Sequence, residues 1–369
     1  VAPDSFGETM TARIAAEAIH RGWLRVRPDD EIVLRPMSDG GPGFIDAVSS
    51  SQAGRLIDVP TTDPLGRPVT AQVFVSEEGP AYVESAQAAG LHLLAPAERD
   101  PRVTSSYGVG AMLLAAAEAG ATVIYVGLGG SGTNDGGAGM LAAVGIVGYD
   151  AAGSALPPGA LPLIALDHFD GFPLLRRSRV VAASDVDNPL LGINGASAIF
   201  GPQKGADRGV VQQLDIALSR FAEIAVRDIP PAPDNLAALP GAGAAGGLGA
   251  AIFALNGRRE SGIQIVMDAV RFGTALESAQ LVVTGEGKFD EQTLAGKVAV
   301  GVAGAAREYA VPCVAVAGQV DLGRRRAAAY GFDAEYSMAE RAGSISRAMD
   351  EPVATLEMLA ETVAKDWSR

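Results

Sequence analysis

Asp185 and Asp187 stand two residues apart, directly after the apolar run RVVAAS at 179–184. In an extended segment, residues i and i+2 project to the same side. A carboxylate pair so placed suits two kinds of chemistry: joint coordination of Mg2+, or a division in which one carboxylate takes a hydroxyl proton while the other holds metal. Asp and Asn ahead of a proline are also ordinary turn formers. What favours chemistry is the following segment, NGASAIFGPQKG at 194–205, which stays polar and ends on Lys204 and Gly205.

Lysine is scarce: of 29 Lys and Arg only four are Lys, at 204, 288, 297 and 365. The first three each touch a glycine. A compact ammonium suits phosphate, and glycine lets backbone come close to a ligand. The stretch TGEGKFDEQTLAGK at 284–297 gathers Glu286, Lys288, Asp290, Gln292 and Lys297 behind an apolar run, more polar groups than a turn needs. Asp4 with Ser5, and Asp39 with Gly40 and Gly41, form two more acid-containing turns at the ends of expected strands.

The loop GLGGSGTNDGGAG at 127–139 lies between an expected strand and an expected helix. Gly127, Gly129 and Gly132 fit the dinucleotide pattern G-x-G-x-x-G, and Asp150 lies where a ribose-binding acid would be expected. Ser131, Thr133, Asn134 and Asp135 offer hydroxyls, an amide and a helix cap instead, the makings of an anion site at a helix start. Dinucleotide, phosphate site and bare turn all remain open on this loop. A second match, Gly241, Gly243 and Gly246, follows no strand and reads as close packing. No Walker A loop, His/Cys metal set or Ser-His-Asp arrangement is present, and His20, His92 and His168 form no cluster.

Stepping from these residues to the elements that hold them, five segments read as buried parallel strands: the opening residues, 31–36, 280–285, 312–318 and 333–338, alternating with helical stretches. Between about 65 and 270 the character changes, with a hairpin-type pair at 68–75 and 81–85 and further strands at 121–126 and 179–184. The stretches 152–178 and 227–248 read as loops or short helices. The expected fold is α/β: a discontinuous doubly wound parallel sheet domain from 1–64 plus 270–369, strand order 2-1-3-4-5, with a second, mixed α/β domain inserted at 65–269. Ligands of such sheets sit beyond the carboxyl ends of the strands where the order reverses. That rule brings 4–7 beside 286–290 and puts the active site in the cleft between the domains.

A formal net charge of −14 disfavours nucleic acid and anionic membranes as partners. No apolar run reaches the length of a membrane helix. The single Cys313 lies in an apolar run, reads as a core residue, and fits a reducing cytoplasm.

Several long strings in one order, APDSF (2–6), MSDGG (37–41), GGSGTNDGGAGM (129–140), DVDNPLLG (185–192), GASAIFGPQKGA (195–206), PGAGAAGGLG (240–249) and TGEGKFDEQT (284–293), resemble the bacterial glycerate kinase family with a flavodoxin-like domain and an inserted second domain. The resemblance implies phosphorylation of D-glycerate by ATP with Mg2+, usually to 2-phosphoglycerate, by a protein for which a homodimer is compatible. It implies Asp187, Lys204 and Lys288 as catalytic, with Asp187 the base and the lysines facing phosphate oxygens. Gly129, Gly130, Ser131, Thr133, Asn134 and Lys297 would bind the nucleotide, and Asp4, Ser5, Asp39, Gly40 and Gly41 the substrate. Asp185, Glu286 and Asp290 would hold the metal. The chain departs from the family at Gly7, where Lys is common, and at Pro42, where Glu is common; both changes remove charge beside the expected substrate. An NAD-dependent hydroxy-acid dehydrogenase and a non-catalytic metabolite-binding homologue are the alternative readings.

Overall fold

β-Branched and aromatic residues dominate the runs that become strands, as their fit to a pleated surface requires. The computed structural model describes residues 1–367 apart from 8, 292 and 294–297. Its contacts group into two units, one of Gly40–Ile45 and Ala53–Gly262, the other of Val1–Asp39, Asp46–Gln52 and Ile263–Arg369.

In the unit built from the middle of the chain, the strands are β1 (Gly54–Thr62), β2 (Pro68–Ser76), β3 (Ala81–Glu84), β4 (Val123–Gly127), β5 (Ile146–Tyr149), β6 (His168–Gly171), β7 (Arg179–Ala183) and β8 (Arg258–Glu260). Six form one sheet in the order β1-β2-β3-β4-β7-β8, and β5 and β6 pair as a separate antiparallel ribbon. The expected hairpin at 68–75 and 81–85 is the antiparallel β2–β3 pair. β3, β4, β7 and β8 run parallel, and their register sets Glu84, Gly127, Ala183 and Glu260 side by side at the carboxyl ends. The loops that leave this edge therefore start level with one another, which is how an α/β sheet positions a site.

Where the sequence reading groups 53–64 with the chain ends, the contacts place this segment in the middle unit. The physical reason is β1, which pairs with β2 along its whole length. It is an edge strand on which only Val59 is buried, and Arg55, Asp58 and Pro60 hide its strand character. Charge and proline are usual on such edges. The stretches read as loops or short helices are largely irregular, with 3-10 turns at Leu161–Ala165, Leu236–Ala238 and Ala244–Gly247 and the strand β6. The core beneath the sheet draws on Ile124 and Val126 of β4, Leu113 of the helix Tyr107–Glu118, and Phe221 of the helix Arg208–Asp228. That last helix is capped by Asp207, which accepts from Val210 N–H. Burying each large apolar side chain contributes about 1.5–3 kcal/mol.

The other unit contains β9 (Val282–Phe289), β10 (Cys313–Val320) and β11 (Ala334–Ser337), parallel in the order β11-β10-β9. Backbone bonds extend this sheet by two short segments. Ala2 and Asp4 donate to the carbonyls of Val283 and Gly285, and Arg35 and Met37 donate to those of Val1 and Pro3. The spatial sequence is then 33–37, 1–4, β9, β10, β11, the expected 2-1-3-4-5. The helices Ala12–Leu24 and Pro352–Trp367 pack together over this sheet, burying Ile19, Leu359 and Val363 with Val283 and Val316.

Candidate functional site

Much of the backbone of residues 127–139 is hydrogen-bonded to protein. Leu128 N–H donates to Ala183, Gly129 N–H to Gly40, Gly132 N–H to Ala89 and Gly136 N–H to Gly246, while the carbonyls of Gly127 and Gly130 accept from Ser85 and Leu91. The glycines face neighbouring backbone. A Cβ on Gly129 would lie 2.5 Å from Gly41 Cα, one on Gly127 2.5 Å from the Gly40 carbonyl, and one on Gly132 3.0 Å from Leu91 Cα. Their smallness thus serves chain-to-chain packing, including contact with the Gly40–Gly41 turn. Asp150, the expected ribose acid, accepts from Ala152 and Ser154 within its own turn. The helix start expected to expose amides does not, because Gly137 and Gly139 N–H groups donate to Asp135.

The loop also presents polar side chains. Thr133, Asn134 and Asp135 are buried, with Ser131 nearly so. Asn134 Nδ2 donates to Ser197 Oγ at 3.0 Å. Thr133 Oγ1 and Asn134 Oδ1 are buried without a hydrogen-bond partner among the described residues. Unpaired buried polar atoms cost free energy and point to an absent ligand, water or ion. Beside them Lys204 is fully buried, its Nζ donating to Ser131 Oγ at 3.0 Å and to the Thr133 carbonyl at 2.6 Å. Burial pushes its ammonium down to about 7, with Asp135 opposing the shift. Burial likewise pushes Asp135 up, against donors from Ser106, Gly137 and Gly139. Lys204, expected to face phosphate oxygens, makes these contacts with the loop itself.

The 184–189 segment leaves β7 on the neighbouring strand. Asp187 is 76% exposed, and its Oδ1 pairs with Arg259 Nη1 at 2.6 Å. The same Nη1 donates to the Val186 carbonyl at 3.0 Å. Parallel pairing sets Arg259 opposite Ala182, so the β7–β8 register delivers the guanidinium to this loop. Asp185 is exposed. The glycine segment 240–249 packs against both loops: a Cβ on Gly246 would strike Thr133 and Asn134, and one on Gly243 would strike Pro189 and Asn188. Close packing is thus the role of the second glycine motif.

In the other unit, Asp4 stands at the end of its short strand and Glu286 in adjacent β9, and the expected juxtaposition of 4–7 with 286–290 is present: a Cβ on Gly287 would lie 3.1 Å from Gly7 N. Burial first, then the neighbouring carboxylates of Asp39 and Glu286, push Asp4 up to about 7. Ser5 N–H donates to Asp4 Oδ1 at 2.6 Å. Lys288 Nζ lies 3.1 Å from both Asp290 and Asp321, so this lysine is matched to protein carboxylates. Lys297 lies outside the described residues.

The residues expected to hold Mg2+ fall in both units. Asp185 belongs to one unit, Glu286 and Asp290 to the other, and Asp290 is paired with Lys288. Among the described residues no three Asp, Glu, His or Cys side chains group to hold a metal ion. Sequence reasoning missed Arg259 as a partner of Asp187, since the two are joined only by strand register. It also left Asp135 out of the site, although its place in a polar glycine loop was a visible signal.

Comparison with known proteins bears on the chain as a whole. The family model described as the glycerate kinase family matches residues 1–368. A glycerate kinase of Halalkalibacterium halodurans is 40% identical, covering 100% of this chain and 98% of the relative. A glycerate 2-kinase of Escherichia coli is 40% identical over 94% of this chain and 92% of its own length. A crystal structure from Salmonella typhimurium LT2, assigned as a glycerate kinase 2, superposes with a TM-score of 0.85 at 38% identity, covering 100% of this chain and 97% of that one. Matched in fold and along its length in this way, the chain belongs to the glycerate kinase family.

Proposed function

We propose that the protein transfers the γ-phosphoryl group of ATP to the C2 hydroxyl of D-glycerate, giving 2-phosphoglycerate and ADP. The observation that carries the reading is the family match along residues 1–368, supported by relatives at about 40% identity. The dehydrogenase alternative is disfavoured by Gly127, Gly129 and Gly132, which are packed on protein backbone, and by Asp150, which closes its own turn.

Phosphoryl transfer asks the protein for positioning and charge neutralisation more than for covalent chemistry. The substrate hydroxyl oxygen bonds to the γ-phosphorus as the bond to the ADP oxygen breaks, and its proton passes to a base. Asp187 is the proposed base, held in place by Arg259. Ser131, Thr133 and Asn134 are proposed to face the nucleotide phosphates, a reading supported by the buried, unpartnered Thr133 Oγ1 and Asn134 Oδ1 beside Lys204, while the amides of Gly129, Gly132, Gly136, Gly137 and Gly139 are already engaged. Mg2+ is proposed to accompany the nucleotide phosphates, and no protein ligand set is assigned to it.

Incubation with Mg-ATP and D-glycerate, followed by a coupled ADP assay, should show turnover. No ADP release with glycerate or any related hydroxy acid would remove the reading. A thermal shift with NAD but none with ATP would replace it with the dehydrogenase.

A further inference from the structure

Lys204 and Asp135 carry opposite charges inside the fold, and each grips a different part of one loop. Lys204 holds its front through Ser131 Oγ and the Thr133 carbonyl. Asp135 holds its back, accepting from Ser106 N–H at 2.8 Å, Ser106 Oγ at 2.9 Å, Gly137 N–H at 3.1 Å and Gly139 N–H at 3.2 Å. Ser106 Oγ in turn accepts from Met140 N–H. Several donors converging on two oxygens is what an acceptor-only carboxylate satisfies. Lys204 closes the turn Pro202–Lys204 and Asp135 lies in the loop after β4, so the two anchors come from segments far apart in sequence.

We infer that Lys204 and Asp135 form a positioning pair that fixes residues 131–139, so that Lys204 acts on phosphoryl transfer through Ser131 and Thr133 without touching substrate. The inference rests on the kinase reading for its effect on turnover, but the loop geometry it describes exists without any substrate. Full burial of Lys204 and the direction of two of its donors into the loop separate this role from that of a phosphate-binding lysine. A buried charge whose partner is removed is strongly disruptive locally, so each anchor should control the loop.

The test uses the full chain without ligand first. Hydrogen exchange of peptides spanning 127–140 should accelerate at least about ten-fold in Lys204→Met and in Asp135→Asn, while the helix Pro352–Trp367 keeps its protection. Turnover is then read in the same variants. We expect kcat to fall at least about ten-fold, and Ser131→Ala combined with Lys204→Met to be no worse than Lys204→Met alone, since residues acting through one contact are non-additive. Unchanged exchange in the loop, or multiplying losses in the double variant, would overturn the inference. If Lys204→Met does not fold, Ser131→Ala alone decides: removing this acceptor should accelerate exchange at 131–139, and no change would overturn the pair. Wild-type protein without kinase activity would remove the function proposed above and leave the exchange result standing, so the two failures are distinguishable.

Discussion

Arg259 Nη1 stands 2.6 Å from Asp187 Oδ1 and 3.0 Å from the Val186 carbonyl, gripping the exposed loop that follows β7 by both a side chain and the backbone. An exposed carboxylate has many rotamers, and a guanidinium fixed on the adjacent strand selects among them. Asp187→Ala should therefore lower kcat by about 10²–10⁴, the range of a lost general base. Stability should change by no more than about 0.5 kcal/mol, as for a surface substitution. Steady-state kinetics and urea unfolding on one preparation check both halves; near-normal turnover would take Asp187 out of the role.

Arg259→Ala should act in the same direction but less. With the base present and only its orientation lost, kcat should fall by about ten-fold. The double variant with Asp187→Ala should be no slower than Asp187→Ala alone. A multiplicative loss in the double variant would give Arg259 a separate contact with substrate.

Two glycines make opposite predictions. Gly129→Ala places a Cβ 2.5 Å from Gly41 Cα and 3.1 Å from Gly41 N, and should cost about 1–3 kcal/mol with a loss of activity. Gly304→Ala lies in the helix Val298–Glu308 with nothing within 4 Å of its Cβ, and should stabilise by about 0.5–1 kcal/mol. Chemical denaturation of both variants measures the contrast.

Asp4 sets a pH dependence. Its folded pKa is raised to about 7 from 3.8, chiefly by burial and then by Asp39. The folded state therefore holds a proton that the unfolded state has released between these values, and the associated stability is present near pH 4 and lost as pH rises toward 7. Asp4→Asn removes that dependence. Relative to wild type it should gain on the order of 4 kcal/mol between about pH 4 and pH 8, read by urea unfolding at the two pH values. An equal difference at both pH values would contradict the assignment.

Much of the fold is legible in the sequence because strand and helix periodicities survive in the core. The runs at 280–285, 312–318 and 333–338 are apolar where they must be, and they become β9 to β11. β1 is not legible, since an edge strand with Arg55, Asp58 and Pro60 carries little alternation. At the site, the polar loops could be named because loops with many more polar groups than a turn requires are visible in one dimension. Pairings could not. Nothing near Asp187 signals Arg259, and nothing near Lys204 signals that its ammonium points inward to Thr133. Glycine spacing misled in a specific way: the G-x-G-x-x-G pattern records close backbone approach, and here the approaching backbone is the protein's own.

Phosphorus NMR of the reaction with Mg-ATP and D-glycerate tests the central claim most directly, because it reports transfer and position together. The account predicts that the γ-phosphoryl signal of ATP is replaced by a phosphomonoester split into a doublet by the single proton at C2. A triplet from a methylene at C3 would contradict the assigned hydroxyl, and free inorganic phosphate with no new ester would contradict phosphorylation of glycerate altogether.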